Sequence, residues 1–277
     1  MFECHRNSYL TELSATVLSC EKSVHTINGK NVDGFNVVLT DTVLFPEEGG
    51  QPDDRGIIDG KPVLKVNKVN NEAVHFVESV EPLPVGKCVQ MKVDWKRRWD
   101  HMQQHTAQHL ISAVARDDFN LLTTSWTLGD TDSYIEIDAP HVENDIVKKL
   151  EAVLNEKIKD GIAVKVELYN KNDPEFSKVR SRCEIPDETD QMRVININGV
   201  DRSTCNGTHV SNLSHLRTIK LLSEHQDDML KMKKNKFHLY FVAGERLLLY
   251  LGKCVKQKNS ETAFLKYCLK FKKAYFA

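Results

Sequence analysis

No sign of charge predominates in this 277-residue chain: 38 lysines and arginines face 39 aspartates and glutamates, a formal net charge of −1. Whole-molecule electrostatics therefore does not mark a nucleic-acid binder, and affinity for a polyanion would have to come from local basic patches. The seven cysteines, Cys4, Cys20, Cys88, Cys183, Cys205, Cys254 and Cys268, are odd in number and scattered, which argues against a disulfide framework. No uninterrupted apolar run approaches the length of a membrane span, and the opening MFECHRNSYLTE carries no apolar h-region. A cytoplasmic, reducing setting without membrane association is expected. Hydrophobic residues make up 40% and charged residues 28%, the ordinary mixture of a globular protein long enough for two modest domains or for one large one with a full hydrophobic core. No internal repeat is visible.

The first ninety or so residues read as short strands between turn signals. FNVVLT (35–40), VLKVNKV (63–69), AVHFV (73–77) and VQMKV (89–93) are bounded by Gly34, Gly56, Asp59-Gly60, Asn70-Asn71 and the Pro82/Pro84/Gly86 cluster. In the last of these, Val89, Met91 and Val93 alternate with Gln90 and Lys92, the pattern of a half-buried strand. Several short strands without an intervening helix suggest a small β-barrel over 1–93. The character changes at Asp94. DWKRRWDHMQQHTAQHLISAVAR contains no glycine or proline, and Ala107, Leu110, Ile111 and Val114 recur at helical spacing. A second helical stripe covers roughly 142–160 through Ile146, Leu150, Val153, Leu154 and Ile158. Further strands are expected at 133–138, 163–169, 192–197, 217–222 and 237–243, so 94–250 reads as an α+β arrangement. In 252–277, seven lysines (253, 256, 258, 266, 270, 272 and 273) stand against Glu261, a basic C-terminal tail.

His101, His105 and His109 are spaced by four along the first helix. Residues at i and i+4 lie one turn apart on one face, so a neighbouring pair can point its imidazoles at one ion; a solvated polar face gives the same spacing. Cys205 and His209 are also four apart, but Asn206-Gly207 between them favours a turn, and a loop can wrap a thiolate and an imidazole round a metal. CxxxH alone is a weak signal. With HxxxH on a helix nearly a hundred residues earlier it becomes a strong one, and the N/S donor set is the one zinc prefers over magnesium or calcium. A metalloprotease fits less well, because HTAQH lacks the glutamate that serves as base in HExxH.

HTAQHL and CNGTH resemble the paired zinc motifs of the alanyl-tRNA synthetase editing domain and its free-standing relatives, the AlaX proteins. FPEEGGQPDDRG (45–56) is similar to the glycine-rich loop of their N-terminal barrel, and DWKRRWDHMQQH, RVININGVD and YFVAGERLL fall in the expected order. Residues 1 to about 250 thus resemble the long-form, eukaryotic alanyl-tRNA editing proteins. The resemblance implies a barrel followed by an α/β-sandwich editing domain of the alanyl/threonyl-tRNA synthetase type. It implies a single zinc on His105, His109, Cys205 and His209, with His105 preferred to His101 as first ligand because Thr106 follows it. It implies a deacylase acting on tRNA(Ala) mischarged with serine or glycine. Such an enzyme is needed because a pocket for alanine cannot strongly exclude smaller glycine or hydroxyl-bearing serine.

On the same ground Thr106 is expected to recognise the serine side chain, although a threonine in a helix can instead bond back to a helix carbonyl. Gly49, Gly50 and Gln51 are expected to approach the aminoacyl end, or simply to turn a hairpin. Asp201 is expected to order the Cys205 loop or orient a ligand. The loop departs from the family at Glu48, where three consecutive glycines usually begin, and this places a negative charge near an anionic substrate. The basic tail, 251–277, reads as a shortened remnant of the family's C-terminal region. Lys231, Lys233, Lys234 and Lys236 form an unspecific candidate for phosphate contact. A monomer is expected. The alternative from another class is a non-catalytic, zinc-stabilised RNA-binding module.

Overall fold

The computed structural model describes residues 1–170, 172–180, 191–222 and 236–258. After a short α1 (Glu3–Arg6), six strands follow with no helix among them: β1 (Glu12–Ile27), β2 (Lys30–Leu39), β3 (Gly56–Ile58), β4 (Lys61–Val69), β5 (Glu72–Val77) and β6 (Cys88–Val93). Turn chemistry explains the meander. The pairs Asn28-Gly29, Asp59-Gly60 and Asn70-Asn71 have φ of 51° and 77°, 51° and 76°, and 48° and 65°. Two successive positive φ values define the type I′ turn, whose twist matches the strands it joins. These turns link β1 to β2, β3 to β4 and β4 to β5. The strands pair antiparallel in the order β1-β2-β5-β4-β3-β6, and β6 returns to β1 to close a barrel. Along β6, Val89, Met91 and Val93 are buried while the residues between them are exposed, and they join Val37, Leu44, Ile58 and Val66 in the barrel core.

Asp94 caps α2 (Trp95–Phe119) by accepting from Arg97 N, and Asn120 ends it at φ 54°. Every residue of α2 from His101 to Ala115 is buried. Polar side chains on such a helix must find partners inside the protein. Gln103 Nε2 donates to the His215 carbonyl at 2.7 Å, and Gln104 exchanges two bonds with the Ala243 backbone at 3.0 and 3.2 Å. The fully buried Arg98 ties the helix to the barrel, donating from Nε to Asp54 Oδ2 and from Nη1 to the Ser8 carbonyl, both at 2.9 Å.

Beyond α2 come β7 (Thr123–Leu128), β8 (Ser133–Ile137), α3 (Asn144–Lys159), β9 (Val164–Asn170), β10 (Gln191–Ile197), β11 (Asp201–Thr204), β12 (Ile219–Leu222) and β13 (Phe237–Ala243). They form a three-stranded sheet, β11-β10-β9, and a four-stranded one, β12-β13-β8-β7. Leu110 and Ile111 of α2, Leu150 and Leu154 of α3, and Phe241 share the core of this half, which is separate from the core inside the barrel. Residues 245–258 are helical. The strands expected from sequence fall on observed ones, whereas β1, β3, β7 and β11 were not anticipated. The strand expected at 217–222 shortens to β12 because Arg217 sits at φ 59°, outside the strand region. Lys231, Lys233, Lys234 and most of the basic tail lie outside the described residues. Among the described residues no helix is long and apolar enough to cross a membrane.

Candidate metal centre

His105 and His109 project from adjacent turns of α2. Cys205 and His209 lie on the loop that leaves β11, and the ligand atoms of all four lie within 4.8 Å of one another, a group that could hold a metal ion. Cys205 Sγ is 3.4 Å from both His105 Nε2 and His209 Nε2. The loop reaches this position because residue 207 is glycine: a Cβ there would stand 2.1 Å from His105 Cε1. Gly207 N also donates to Cys205 Sγ at 3.3 Å. Burial opposes ionisation of the Cys205 thiol, but the surrounding His105, His209 and His109 outweigh it and hold its pKa well below the ordinary thiol value. Burial, reinforced by His105, holds His209 well below the ordinary imidazole value and so keeps it neutral, the form that ligates.

Each imidazole is held at its other nitrogen by a different part of the fold. His105 Nδ1 donates to Gln51 Oε1 at 2.9 Å, and the same oxygen accepts from Thr208 N at 3.0 Å while Gln51 Nε2 donates to Thr208 Oγ1. The barrel thus reaches across to the helix and the loop through one fully buried amide. His109 Nδ1 is 3.1 Å from Ser203 Oγ, which donates to Asp201 Oδ2 at 2.9 Å. Burial alone would raise the pKa of Asp201; its interactions with His109, Arg180 and Ser203 reverse this and hold it at about 2. His209 Nδ1 is 3.1 Å from Thr106 Oγ1, which accepts from Val210 N at 3.1 Å. Thr106 therefore braces His209 rather than a helix carbonyl.

The cluster opens on a cavity of about 780 Å³ whose helical wall is His105, Gln108, His109, Ser112 and Arg116, one face of α2. Gly49 lines it; Gly50, Gln51 and Thr106 do not. Gly50 instead lies under Trp126, where a Cβ would come within 2.9 Å of the indole nitrogen, and Trp126 packs on His105 with ring centroids 4.6 Å apart. The charge of Glu48 is met by Lys68 at 2.8 Å, and its Oε1 accepts from Asn206 Nδ2 at 2.9 Å, which clasps the barrel loop to the ligand loop. Lys236 is paired with Asp138 at 2.9 Å. Arg116 and Arg180 line the cluster's cavity too, and with Lys178 and Arg202 they line a neighbouring cavity of about 440 Å³. Sequence reasoning missed Trp126, Ser203 and these arginines, because no spacing rule connects them to the histidines.

His101 stands apart from the cluster. It lines a different cavity, of about 670 Å³, with Leu128, Arg97 and Arg246. Burial, reinforced by Arg97 and Arg246, pushes its pKa down to about 3.

Comparison with known proteins places these features in a context. Residues 5–97 match the model of the class II (A) tRNA synthetases, and residues 192–233 match the threonyl and alanyl tRNA synthetase second additional domain. Over 269 residues, 96% of this chain and 64% of the relative, the chain is 48% identical to alanyl-tRNA editing protein Aarsd1-B of Xenopus laevis. It is 47% identical over 270 residues to alanyl-tRNA editing protein Aarsd1 of Mus musculus, again 96% of this chain and 64% of the relative. With alanyl-tRNA editing protein AlaX-L of Pyrococcus horikoshii it shares 29% identity over 257 residues, 91% of this chain and 60% of the relative. The chain thus spans less than two thirds of the length of these relatives.

Proposed function

We propose that this chain, which belongs to the alanyl-tRNA editing protein family, is a zinc-dependent deacylase that hydrolyses the ester of tRNA(Ala) mischarged with serine or glycine in the cytoplasm. The observation that carries the reading is the convergence of His105, His109, Cys205 and His209 on one point, with the first three on the wall of one cavity. The donor set suits zinc on geometric grounds too. Tetrahedral zinc with bonds of about 2.3 Å to sulfur and about 2.0 Å to nitrogen holds those atoms about 3.5 Å apart, close to the two 3.4 Å separations at Cys205. Zinc at such a site supplies Lewis-acid polarisation of a carbonyl or an anchor for the substrate.

The chain's own residues do the positioning. Gln51, Ser203 with Asp201, and Thr106 fix the three imidazoles through Nδ1, as partners of metal-bound histidines do elsewhere. Gly49 lets the barrel loop come close to the aminoacyl end. Arg116 and Arg180, which line the cavity while paired with Asp117 and Asp201, add positive charge for the phosphates of the acceptor strand to that of the lysines expected from sequence. On this reading 1–93 forms the barrel domain and 94–250 the α/β-sandwich editing domain. A closed shell of four protein donors is the arrangement of a structural ion, and it favours a second reading, an RNA-binding module without hydrolysis.

Incubating zinc-loaded protein with seryl- and alanyl-tRNA(Ala) separates the two. The editing reading predicts serine release at a rate well above that of alanine. Equal hydrolysis of both, or none from metal-replete protein, overturns it.

A further inference from the structure

The three imidazoles of the cluster are each held at a second nitrogen, but a thiolate has no second donor atom by which a neighbour could hold it. The aim of Cys205 Sγ is therefore set by its backbone. Gly207 N, which donates to Sγ, belongs to the same loop and cannot fix that loop as a whole. The fixing comes from β10. The Arg193 carbonyl accepts from Cys205 N at 3.2 Å, one rung beyond the Val194–Thr204 pair that ends the β10–β11 ladder. The Arg193 guanidinium turns to the same residue and donates from Nη1 to the Cys205 carbonyl. Its Nε donates to the His5 carbonyl of α1 at 3.0 Å. One residue thus grips both backbone polar groups of Cys205 and ties them to α1.

Arg193 is only 2% exposed, yet among the described residues its guanidinium forms no ion pair, and Nη2 has no hydrogen-bond partner. A buried guanidinium without a carboxylate is costly, and an apolar side chain would serve the packing of a strand as well. Burial pulls the Arg193 pKa down, and Cys205 is foremost among the groups that oppose it. We propose that Arg193 is the positioning residue of the metal centre: by holding Cys205 at both backbone groups it aims the thiolate, the one ligand that no side chain braces. Arg193 does not line the cavity, so it acts through Cys205 and not on a substrate. The imidazoles keep their own partners and do not depend on it.

This inference rests on the metal reading of the cluster, and its test keeps the two apart by reading the ligand shell instead of turnover. The full chain is loaded with excess cobalt(II) in place of zinc. Ligand-field absorption then reports the bound ion, and the sulfur-to-cobalt charge-transfer band reports the thiolate. The unsubstituted protein should show both. Arg193→Gln should weaken cobalt about 10- to 100-fold and lose most of the charge-transfer intensity per bound cobalt, while ligand-field bands from the imidazole-held ion persist. Arg193→Lys, which keeps the charge but has a single donor head, should lose less. Ser203→Ala, which frees an imidazole instead, should keep the charge-transfer band. Weaker binding with undiminished intensity per bound cobalt would make Arg193 a structural strut only and overturn the inference. An undiminished band in Arg193→Lys does the same if Arg193→Gln does not fold. Failure of the unsubstituted protein to bind cobalt would remove the metal reading and this inference with it.

Discussion

His101 and the pair His105–His109 occupy successive turns of α2, are almost fully buried and obey one spacing, yet their surroundings have nothing in common. Around His105 and His109, each Nδ1 meets an oxygen fixed by another element, Gln51 from the barrel and Ser203 from β11. A glycine in the loop makes room for Cys205 and His209 to close in from the far side. Around His101 there are the guanidinium groups of Arg97 and Arg246, and Nδ1 has no hydrogen-bond partner. Helical periodicity decides which face a histidine occupies. Whether it becomes a ligand is decided by what the rest of the fold brings to its two nitrogens.

The comparison breaks most sharply at the loop. Cys205→Ala should take zinc from one ion per chain to nearly none, and deacylation with it, because the thiolate is one of four donors. His105→Ala should do the same, whereas His101→Gln should leave metal content intact; atomic absorption on the purified variants reads both. A His101→Gln protein without zinc would place His101 in the ligand set. A smaller effect should follow from the bracing groups. Gln51→Ala and Ser203→Ala keep all four donors but release an imidazole, and each should weaken zinc about 10- to 100-fold in competition with a chelator.

The smallest effect is on acid stability. Burial holds His5 and His101 at about 3 and His75 at about 4, all below the ordinary value of 6.5. A histidine with a depressed folded pKa binds its proton in the unfolded chain first. Its neutral, buried state is therefore fully supported above about pH 6.5, and that support is lost as pH falls towards the folded value. Each such histidine should add about 1.4 kcal/mol per pH unit to the loss of stability in that window. Denaturant unfolding of His101→Gln between pH 6.5 and 4 should show a slope shallower by one proton. An identical slope would mean that His101 is already charged in the folded protein.

What could be read in advance follows the same division. The two helices and the strands with clear alternation or dense apolar runs were legible, β6 above all. β1 was not, because only two of its sixteen residues are buried and ELSATVLSCEKSVHTI alternates only in part. Its end was nevertheless announced by Asn28-Gly29, a hairpin signal with positive φ at both residues. β7 escaped notice for a similar reason: of TTSWTL only Leu128 is buried. At the site, the four donors carried their spacing in the sequence. Gln51, Trp126 and Ser203 come to the histidines from 54, 21 and 94 positions away in sequence, through strands whose packing no local pattern encodes. Thr106 was noticed for its place beside His105, but three-dimensional packing gave its hydroxyl to His209.

The measurement that bears most directly on this account is X-ray absorption at the zinc edge of the metal-loaded protein. One sulfur at about 2.3 Å and three imidazole nitrogens at about 2.0 Å are predicted for Cys205 with His105, His109 and His209. A shell with no sulfur, or with two, would contradict it.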